Sequence, residues 1–131
     1  MKILVDTCIW SQVLRKKTPN LNITKQLKDF IYDGRVVMIG PIRQELLSGI
    51  SNPSQFNKLK HTLSFFEDII LKTDHFVKAA EFNNLCRKNG IQGSTTDFLI
   101  CAVANLEKLS IFTVDSDFIN YNKYLKIKLI K

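Results

Sequence analysis

Residues 95–115 read TTDFLICAVANLEKLSIFTVD, a long apolar segment that runs into a second, shorter one. Residues 95–109 are apolar on nearly all sides of a helix, which predicts a helix buried in the protein interior. Residues 111–114 are a short apolar run and predict a buried strand that closes at Asp115. Alternation of such strands and helices predicts a parallel sheet covered by helices on both faces.

The same alternation continues along the rest of the chain. Predicted strands occupy residues 2–5, 35–39, about 69–71 and 111–114, with an edge strand at 126–130. Predicted helices occupy residues 7–16, 22–33, 41–48, 54–65, 74–89 and 95–109. A chain of 131 residues is long enough to bury one real core, so we expect a single α/β domain over residues 1–131.

Composition bears on the compartment in which the protein works. Every apolar run is shorter than the ~20 residues that a membrane-spanning helix needs, and the first predicted strand begins after one lysine, which predicts no secretory signal. Cys8, Cys86 and Cys101 lack the close spacing of metal-binding cysteines, and an odd count suits a reducing environment. We therefore expect a cytoplasmic protein without membrane attachment, with Cys101 as a small core residue.

The net charge is +7, from 19 Lys and Arg residues against 12 Asp and Glu residues. If several acids share one pocket, the remaining surface is more basic still. Such a field attracts polyanions without regard to their sequence, which favours nucleic acid as a partner. A solubility charge or an acidic protein partner would account for the same balance.

Four acidic residues stand where a predicted strand ends or a predicted helix begins. Asp6 closes the first strand, and Asp115 closes the strand at 111–114. Glu45 lies in the helix that follows the second strand, and Asp97 lies in the first turn of the buried helix. The carboxyl ends of parallel strands share one edge of a sheet, so we expect these side chains to converge there. Converging carboxylates repel one another unless they are protonated or held by a cation, and a hard divalent metal is the simplest relief.

Each acid also has a purely structural explanation. Asp6 is a suitable cap for the helix that follows it, and Glu45 can be an ordinary solvated helix residue. The segment Ser94-Thr95-Thr96-Asp97 resembles a capping box near the positive end of a helix. Asp115 and Asp117 can shape a turn. The joint pattern favours function, because three acids follow predicted strands within a few residues.

A metal would also make a catalytic histidine unnecessary. Metal-bound water has a lowered pKa, and the metal acts as a Lewis acid on a phosphate. His61 and His75 are the two histidines, both in polar sequence surroundings, and we expect both at the surface.

The basic and aromatic residues leave alternatives open. The segment Arg15-Lys16-Lys17 is either a solvated helix end or a contact to an RNA backbone. Arg43 can bind a phosphate bidentately, although it does not share a helix face with Glu45, two residues later. Trp10 is expected in the core or against a partner.

Five segments together resemble the PIN-domain ribonucleases, and in particular the VapC-type toxins of bacterial toxin–antitoxin pairs. They are residues 2–10 (KILVDTCIW), 41–49 (PIRQELLSG), 79–90 (AAEFNNLCRKNG), 93–102 (GSTTDFLICA) and 113–118 (TVDSDF). The similarity covers nearly the whole chain. The acid-bearing motifs are short, but four of them in order at the right separations are quite specific.

The resemblance implies a PIN-like fold and a metal-dependent endoribonuclease that uses Mg²⁺ or Mn²⁺. The implied metal-binding and catalytic acids are Asp6, Glu45, Asp97 and Asp115. Asp117 matches a less uniform position, either in an outer layer around the metal or purely structural. Thr7 and Thr113 match hydroxyl positions that orient neighbouring carboxylates. Cys8 stands where serine is frequent, and a thiol is a poorer hydrogen-bond partner.

The resemblance also implies partners. VapC-type toxins usually form homodimers and act on RNA. A small cognate antitoxin neutralises them by laying a C-terminal segment in the active-site groove. The pair commonly binds its operator DNA through the antitoxin.

Two other classes of function compete with a nuclease. In the first, the chain is a non-catalytic module that binds RNA or an antitoxin, and the acids grip a basic peptide. In the second, it is a phosphotransfer protein. A haloacid-dehalogenase-like phosphatase needs a second Asp two residues after Asp6, where this chain has Cys8. A response-regulator receiver needs an acceptor Asp on its third strand, and the segment near Ile70 offers none.

Overall fold

The computed structural model describes residues 1–15 and 17–130. Across them the chain alternates short strands with helices, as the sequence predicts. The strands are β1 (Ile3–Val5), β2 (Val36–Val37), β3 (Ser110–Phe112) and β4 (Lys128–Leu129). The helices are α1 (Thr7–Leu14), α2 (Leu21–Tyr32), α3 (Gly40–Leu47), α4 (Pro53–Leu63), α5 (Thr73–Lys88), α6 (Thr95–Glu107) and α7 (Asp117–Asn122).

The four strands form one parallel sheet in the order β2-β1-β3-β4. Leu4 pairs with Val37 on one side and with Ile111 on the other, so the first strand of the chain lies inside the sheet. The backbone N–H of Asp6 donates to the carbonyl of Phe112 at 2.9 Å, which extends the β1–β3 pairing to the ends of both strands. The predicted α/β fold with a parallel central sheet is confirmed.

Helix α6 is the centre of the core. Seven consecutive residues, Phe98 to Ala104, are buried, and α5 packs along this helix. Such a run has no solvent face, because a surface helix needs polar residues on one side. Cys101 lies within the run and is fully buried, as predicted. Along the described part of the chain, no helix is long and apolar enough to cross a membrane.

The predicted strand at residues 69–71 is wrong. The structure has only a single parallel bridge there, between Met38 and Asp68, and the Ile70 side chain is 77% exposed. The apolar run Ile69-Ile70-Leu71 therefore touches the sheet edge at one point and then leaves it. At that point the Arg43 guanidinium of α3 contacts the Asp68 carboxylate.

Other boundaries differ as well. Helix α1 ends at Leu14, two residues before the predicted end, and Lys16 and Lys131 lie outside the described residues. The acidic turn after Asp115 continues into helix α7, which no periodicity predicted because it is only six residues long. Strand β4 covers two of the five residues predicted for the edge strand.

The predicted surface position of His75 is wrong, whereas His61 is exposed as expected. His75 lies in the first turn of α5 and is only 5% exposed. Its Nδ1 accepts the backbone N–H of Lys72 at 2.9 Å, so the ring caps the helix. Its Nε2 faces Glu107 of α6 at 3.9 Å. Packing between the two helices buries a ring that sits in a polar stretch of sequence.

Candidate active site

Three carboxylates come together where β3, α6 and α7 meet. One oxygen from each of Asp97, Asp115 and Asp117 lies within 4.8 Å of the other two. Asp97 is in the first turn of α6, Asp115 lies three residues after β3, and Asp117 opens α7. Of the four predicted acids, Asp97 and Asp115 thus lie side by side, and Asp117 is closer to them than the sequence suggested.

The hydroxyl of Thr113 links Asp6 to Asp115 of this group. Its carboxylate is buried and accepts from the backbone N–H of Thr7 at 2.7 Å and from the Thr113 hydroxyl at 2.8 Å. The same Thr113 oxygen accepts the backbone N–H of Asp115 at 3.0 Å. Because β1 and β3 are neighbours in the sheet, one threonine holds the acidic ends of both strands together. Thr113 therefore contacts both Asp6 and Asp115, and the orienting role that the resemblance implies for it stays a prediction.

Glu45 reaches the site from α3. The Thr7 hydroxyl donates to Glu45 Oε2 at 2.9 Å, and Thr7 also binds Asp6 through its backbone. Glu45 is exposed and is not a member of the three-carboxylate cluster. Among the described residues, it joins the site through Thr7 rather than by direct contact with the other acids.

Tyr121 has no role in the sequence-based predictions, yet its hydroxyl donates to Asp97 Oδ2 at 2.7 Å. Tyr121 is fully buried at the end of α7. Gly93 allows this arrangement, because a Cβ at that position would lie 2.8 Å from Tyr121 Cζ and 2.9 Å from Phe98 Cζ. A tyrosine within a short unpredicted helix carries no sequence signal that would reveal this contact.

Burial and neighbouring charges shift the pKa values of side chains in the site. Burial raises the pKa of Asp97; the hydrogen bond from Tyr121 lowers it, and the charges of Asp6 and Asp115 raise it further. Burial likewise raises the pKa of Tyr121, so its hydroxyl keeps the proton that it donates. Burial is also the main cause of a raised pKa at Cys8, whose thiol contacts Asp6 Oδ2 at 3.3 Å and Thr113 Oγ1 at 3.4 Å.

The residues fit a hard divalent cation. The clustered donors are all carboxylate oxygens, which Mg²⁺ and Mn²⁺ prefer over nitrogen and sulfur. A cation there would offset the repulsion that raises the pKa of Asp97. The side chain of Asp115 is already oriented, since its Oδ1 accepts the backbone N–H of Asp117 at 2.9 Å.

Arg43 lies outside this group. Its guanidinium binds Asp68 and the carbonyls of Leu63 and Phe66, so its donors are directed toward the end of α4. This supports a structural role over phosphate binding. Arg15 follows the last residue of α1 and donates to the carbonyl of Leu46 in α3, so it joins the ends of these two helices. Trp10 is buried with its ring 5.2 Å from that of Phe66, which agrees with a core position.

Comparison with known proteins identifies the family. The profile of the PIN domain matches residues 3–124, nearly the full chain. This chain belongs to the PIN-domain family. No curated protein sequence matches it significantly.

Several solved structures share the PIN fold of this chain. FitAcB from Neisseria gonorrhoeae matches with a TM-score of 0.80 at 20% identity, over 98% of this chain and 96% of that chain. VapBC2 from Rickettsia felis, bound to a DNA fragment from its promoter, matches with a TM-score of 0.82 at 17% identity, over 99% and 98%. A toxin–antitoxin complex from Klebsiella pneumoniae matches with a TM-score of 0.66 at 18% identity, over 89% and 90%. Identities this low show a shared fold.

Proposed function

We propose that this PIN domain is a metal-dependent endoribonuclease, the toxin of a type II toxin–antitoxin pair. The observation that carries the proposal is the cluster of Asp97, Asp115 and Asp117, with Asp6 held beside it through Thr113. PIN domains are generally nucleases, and the structures that share this fold include toxin–antitoxin complexes. The +7 net charge supports a polyanionic substrate.

The proposed division of labour follows from the contacts. Asp97, Asp115 and Asp117 would hold a Mg²⁺ or Mn²⁺ ion, and Asp6 and Glu45 would complete the acidic site directly or through water. The bound ion supplies an activated water at neutral pH and stabilises charge on the phosphate. Thr113 and Thr7 keep the carboxylates at fixed positions, because their hydroxyls donate to Asp6 and to Glu45. Fixed ligands lose little freedom when the ion or the substrate binds.

The proposal includes the partners that its family resemblance implies. These are a homodimeric partner copy, a small antitoxin that covers the acidic groove, and operator DNA bound through that antitoxin. The antitoxin and the DNA are supported by two structures of the same fold, the toxin–antitoxin complex from Klebsiella pneumoniae and VapBC2 bound to a fragment of its promoter. A cytoplasmic location agrees with an RNA substrate.

The test is cleavage of total cellular RNA by antitoxin-free protein with Mg²⁺, with Mn²⁺ and with EDTA. Wild-type protein should give discrete cuts only with metal, and Asp97→Asn should give none while keeping the fold. Asp74→Asn is a matched control, since Asp74 is also an acid in the first turn of a helix but is exposed on α5. It should cut like wild type.

Full activity in Asp97→Asn would refute the assignment of cleavage to this acidic site, and cuts that persist in EDTA would refute its metal dependence. Folded wild-type protein that binds RNA or an antitoxin peptide but makes no cuts with either metal would favour the non-catalytic binding module.

A further inference from the structure

We propose that Tyr121 is a positioning residue that fixes the carboxylate of Asp97 for metal binding. The inference rests on the proposed function, because it concerns the same acidic site. It assigns a role to a buried residue of α7 that does not itself belong to the carboxylate cluster. The hydroxyl of Tyr121 donates to Asp97 Oδ2 at 2.7 Å, within the range of a strong O–H···O⁻ hydrogen bond.

The first step concerns the freedom of Asp97. Ser94 caps α6 by accepting the backbone N–H of Asp97 at 3.0 Å, so the main chain at this position is fixed. The carboxylate can still rotate about its last bond, because that torsion has only a broad preference. A donor on Oδ2 removes the freedom and thereby sets the direction in which Oδ1 faces.

The second step concerns the rigidity of the donor. The Tyr121 ring is fully buried, and its centroid lies 5.1 Å from the rings of both Phe98 and Phe118. Gly93 lies directly against the hydroxyl end of the ring, where a Cβ would collide with it. The hydroxyl thus has one position. It reaches Asp97 from within the buried core.

The third step separates the hydroxyl from the ring. Phenylalanine would fill nearly the same space and keep both aromatic contacts, so packing alone does not require tyrosine. A buried phenol needs a hydrogen-bond partner, and here the partner is one of the three clustered acids. The hydroxyl and the carboxylate therefore satisfy each other, and losing the hydroxyl leaves Asp97 free to turn.

The experiment measures Mn²⁺ binding to RNA-free protein by calorimetry and, in parallel, the Mn²⁺ dependence of RNA cleavage. Tyr121→Phe should weaken Mn²⁺ binding about 10-fold, as removal of a group that orients a metal ligand typically does. Its cleavage rate should return toward the wild-type rate at saturating Mn²⁺. Tyr124→Phe is the matched control, since it deletes the same hydroxyl from a tyrosine that is 43% exposed three residues further on. It should bind Mn²⁺ like wild type.

The outcomes separate this inference from the proposed function. If wild type binds Mn²⁺ and cleaves RNA but Tyr121→Phe binds Mn²⁺ equally well, Tyr121 is only a packing residue and the nuclease proposal stands. If wild type neither binds Mn²⁺ nor cleaves RNA, both fail. Should wild type bind Mn²⁺ without cleaving, the binding comparison still decides the role of Tyr121.

A second variant covers the case in which Tyr121→Phe does not fold. Gly93→Ala keeps the hydroxyl but forces the Tyr121 ring away from its position. It should also weaken Mn²⁺ binding, and wild-type affinity in a folded Gly93→Ala protein would overturn the inference.

Discussion

Replacement of Arg43 by alanine tests whether this side chain is a structural clamp. The guanidinium donates to the carbonyl of Leu63 at 2.8 Å, to that of Phe66 at 2.6 Å and to the carboxylate of Asp68 at 2.8 Å. These bonds attach α3 to the end of α4. They also attach α3 to Asp68, which forms a bridge with Met38 at the sheet edge. In Arg43→Ala, two carbonyls and one carboxylate lose their charged donor.

The contacts of Arg43 differ in how much they contribute to the free energy of unfolding. The Arg43 and Asp68 side chains are 23% and 40% exposed, and a pair that solvent reaches is worth about 0–1 kcal/mol. Each hydrogen bond from a charged donor to a part-buried carbonyl contributes roughly 1.5 kcal/mol. We therefore expect Arg43→Ala to lower the free energy of unfolding by about 3 kcal/mol, and Asp68→Asn to lower it by less than about 1 kcal/mol. For a domain of this size, about 3 kcal/mol corresponds to a fall in Tm of about 10 °C.

The assay is urea unfolding and thermal melting of wild type, Arg43→Ala, Arg43→Lys and Asp68→Asn. Arg43→Lys keeps the charge but lacks the planar guanidinium that binds several acceptors at once. Its free energy of unfolding should therefore lie closer to that of Arg43→Ala than to that of wild type. If Arg43→Ala and Asp68→Asn lowered the free energy of unfolding equally, most of the stabilisation by Arg43 would not come from its bonds to the two carbonyls. A folded Arg43→Ala protein with wild-type stability but no RNA cleavage would instead restore the phosphate-binding interpretation.

Two further predictions concern the acidic site. Thr113→Val keeps the side-chain shape but removes the hydroxyl that binds Asp6 and Asp115, and should weaken Mn²⁺ binding roughly 10-fold; unchanged affinity by calorimetry would contradict its orienting role. The pKa of Asp97 is raised in the fold, chiefly by burial, so the folded chain takes up its proton more readily than the unfolded chain does. Ionised Asp97 therefore opposes folding as pH rises past its unfolded pKa, and with EDTA at neutral pH, Asp97→Asn should melt above wild type. The difference in Tm between Asp97→Asn and wild type should shrink toward acidic pH and when Mn²⁺ is added to wild type. A lower Tm for Asp97→Asn than for wild type in EDTA would show that the charge of Asp97 does not destabilise the fold.

Much of the architecture could be predicted because it follows from the spacing of apolar residues along the chain and from the composition of each segment. Residues 98–104 have no polar face, and only a buried helix accommodates such a run. Strands β1 and β3 are short and buried, and residues 3–5 and 111–112 are apolar, as in strands of a parallel sheet. Once the sheet is parallel, the residues after β1 and β3 must meet at one edge. That rule is why the sequence predicts Asp6 and Asp115 near each other, and the Thr113 hydroxyl joins the Asp6 carboxylate to the backbone N–H of Asp115.

The features that could not be predicted depend on contacts between distant segments. Residues 69–71 have strand-like composition, but the structure joins this segment to the sheet edge by a single bridge, between Met38 and Asp68. His75 is buried by the packing of α5 on α6, which no local pattern encodes. Tyr121 reaches Asp97 only because α7 folds back over the core beside Gly93. The proximity of Asp117 to the other two acids arises in the same way, from where a six-residue helix begins.

The central position of β1 has a consequence for the timing of biosynthesis. The bond between Thr113 and Asp6 spans 107 residues, and both neighbours of β1 in the sheet follow it in the chain. Closing so long a loop is slow compared with forming a local helix. On the ribosome, Asp6 and Asp97 are synthesised before residues 110–121, so the bonds from Thr113 to Asp6 and from Tyr121 to Asp97 cannot form until those later residues are present. The three-carboxylate cluster and its link to Asp6 therefore form only after residues 110–121 have been synthesised, and any activity that needs the complete site begins no earlier.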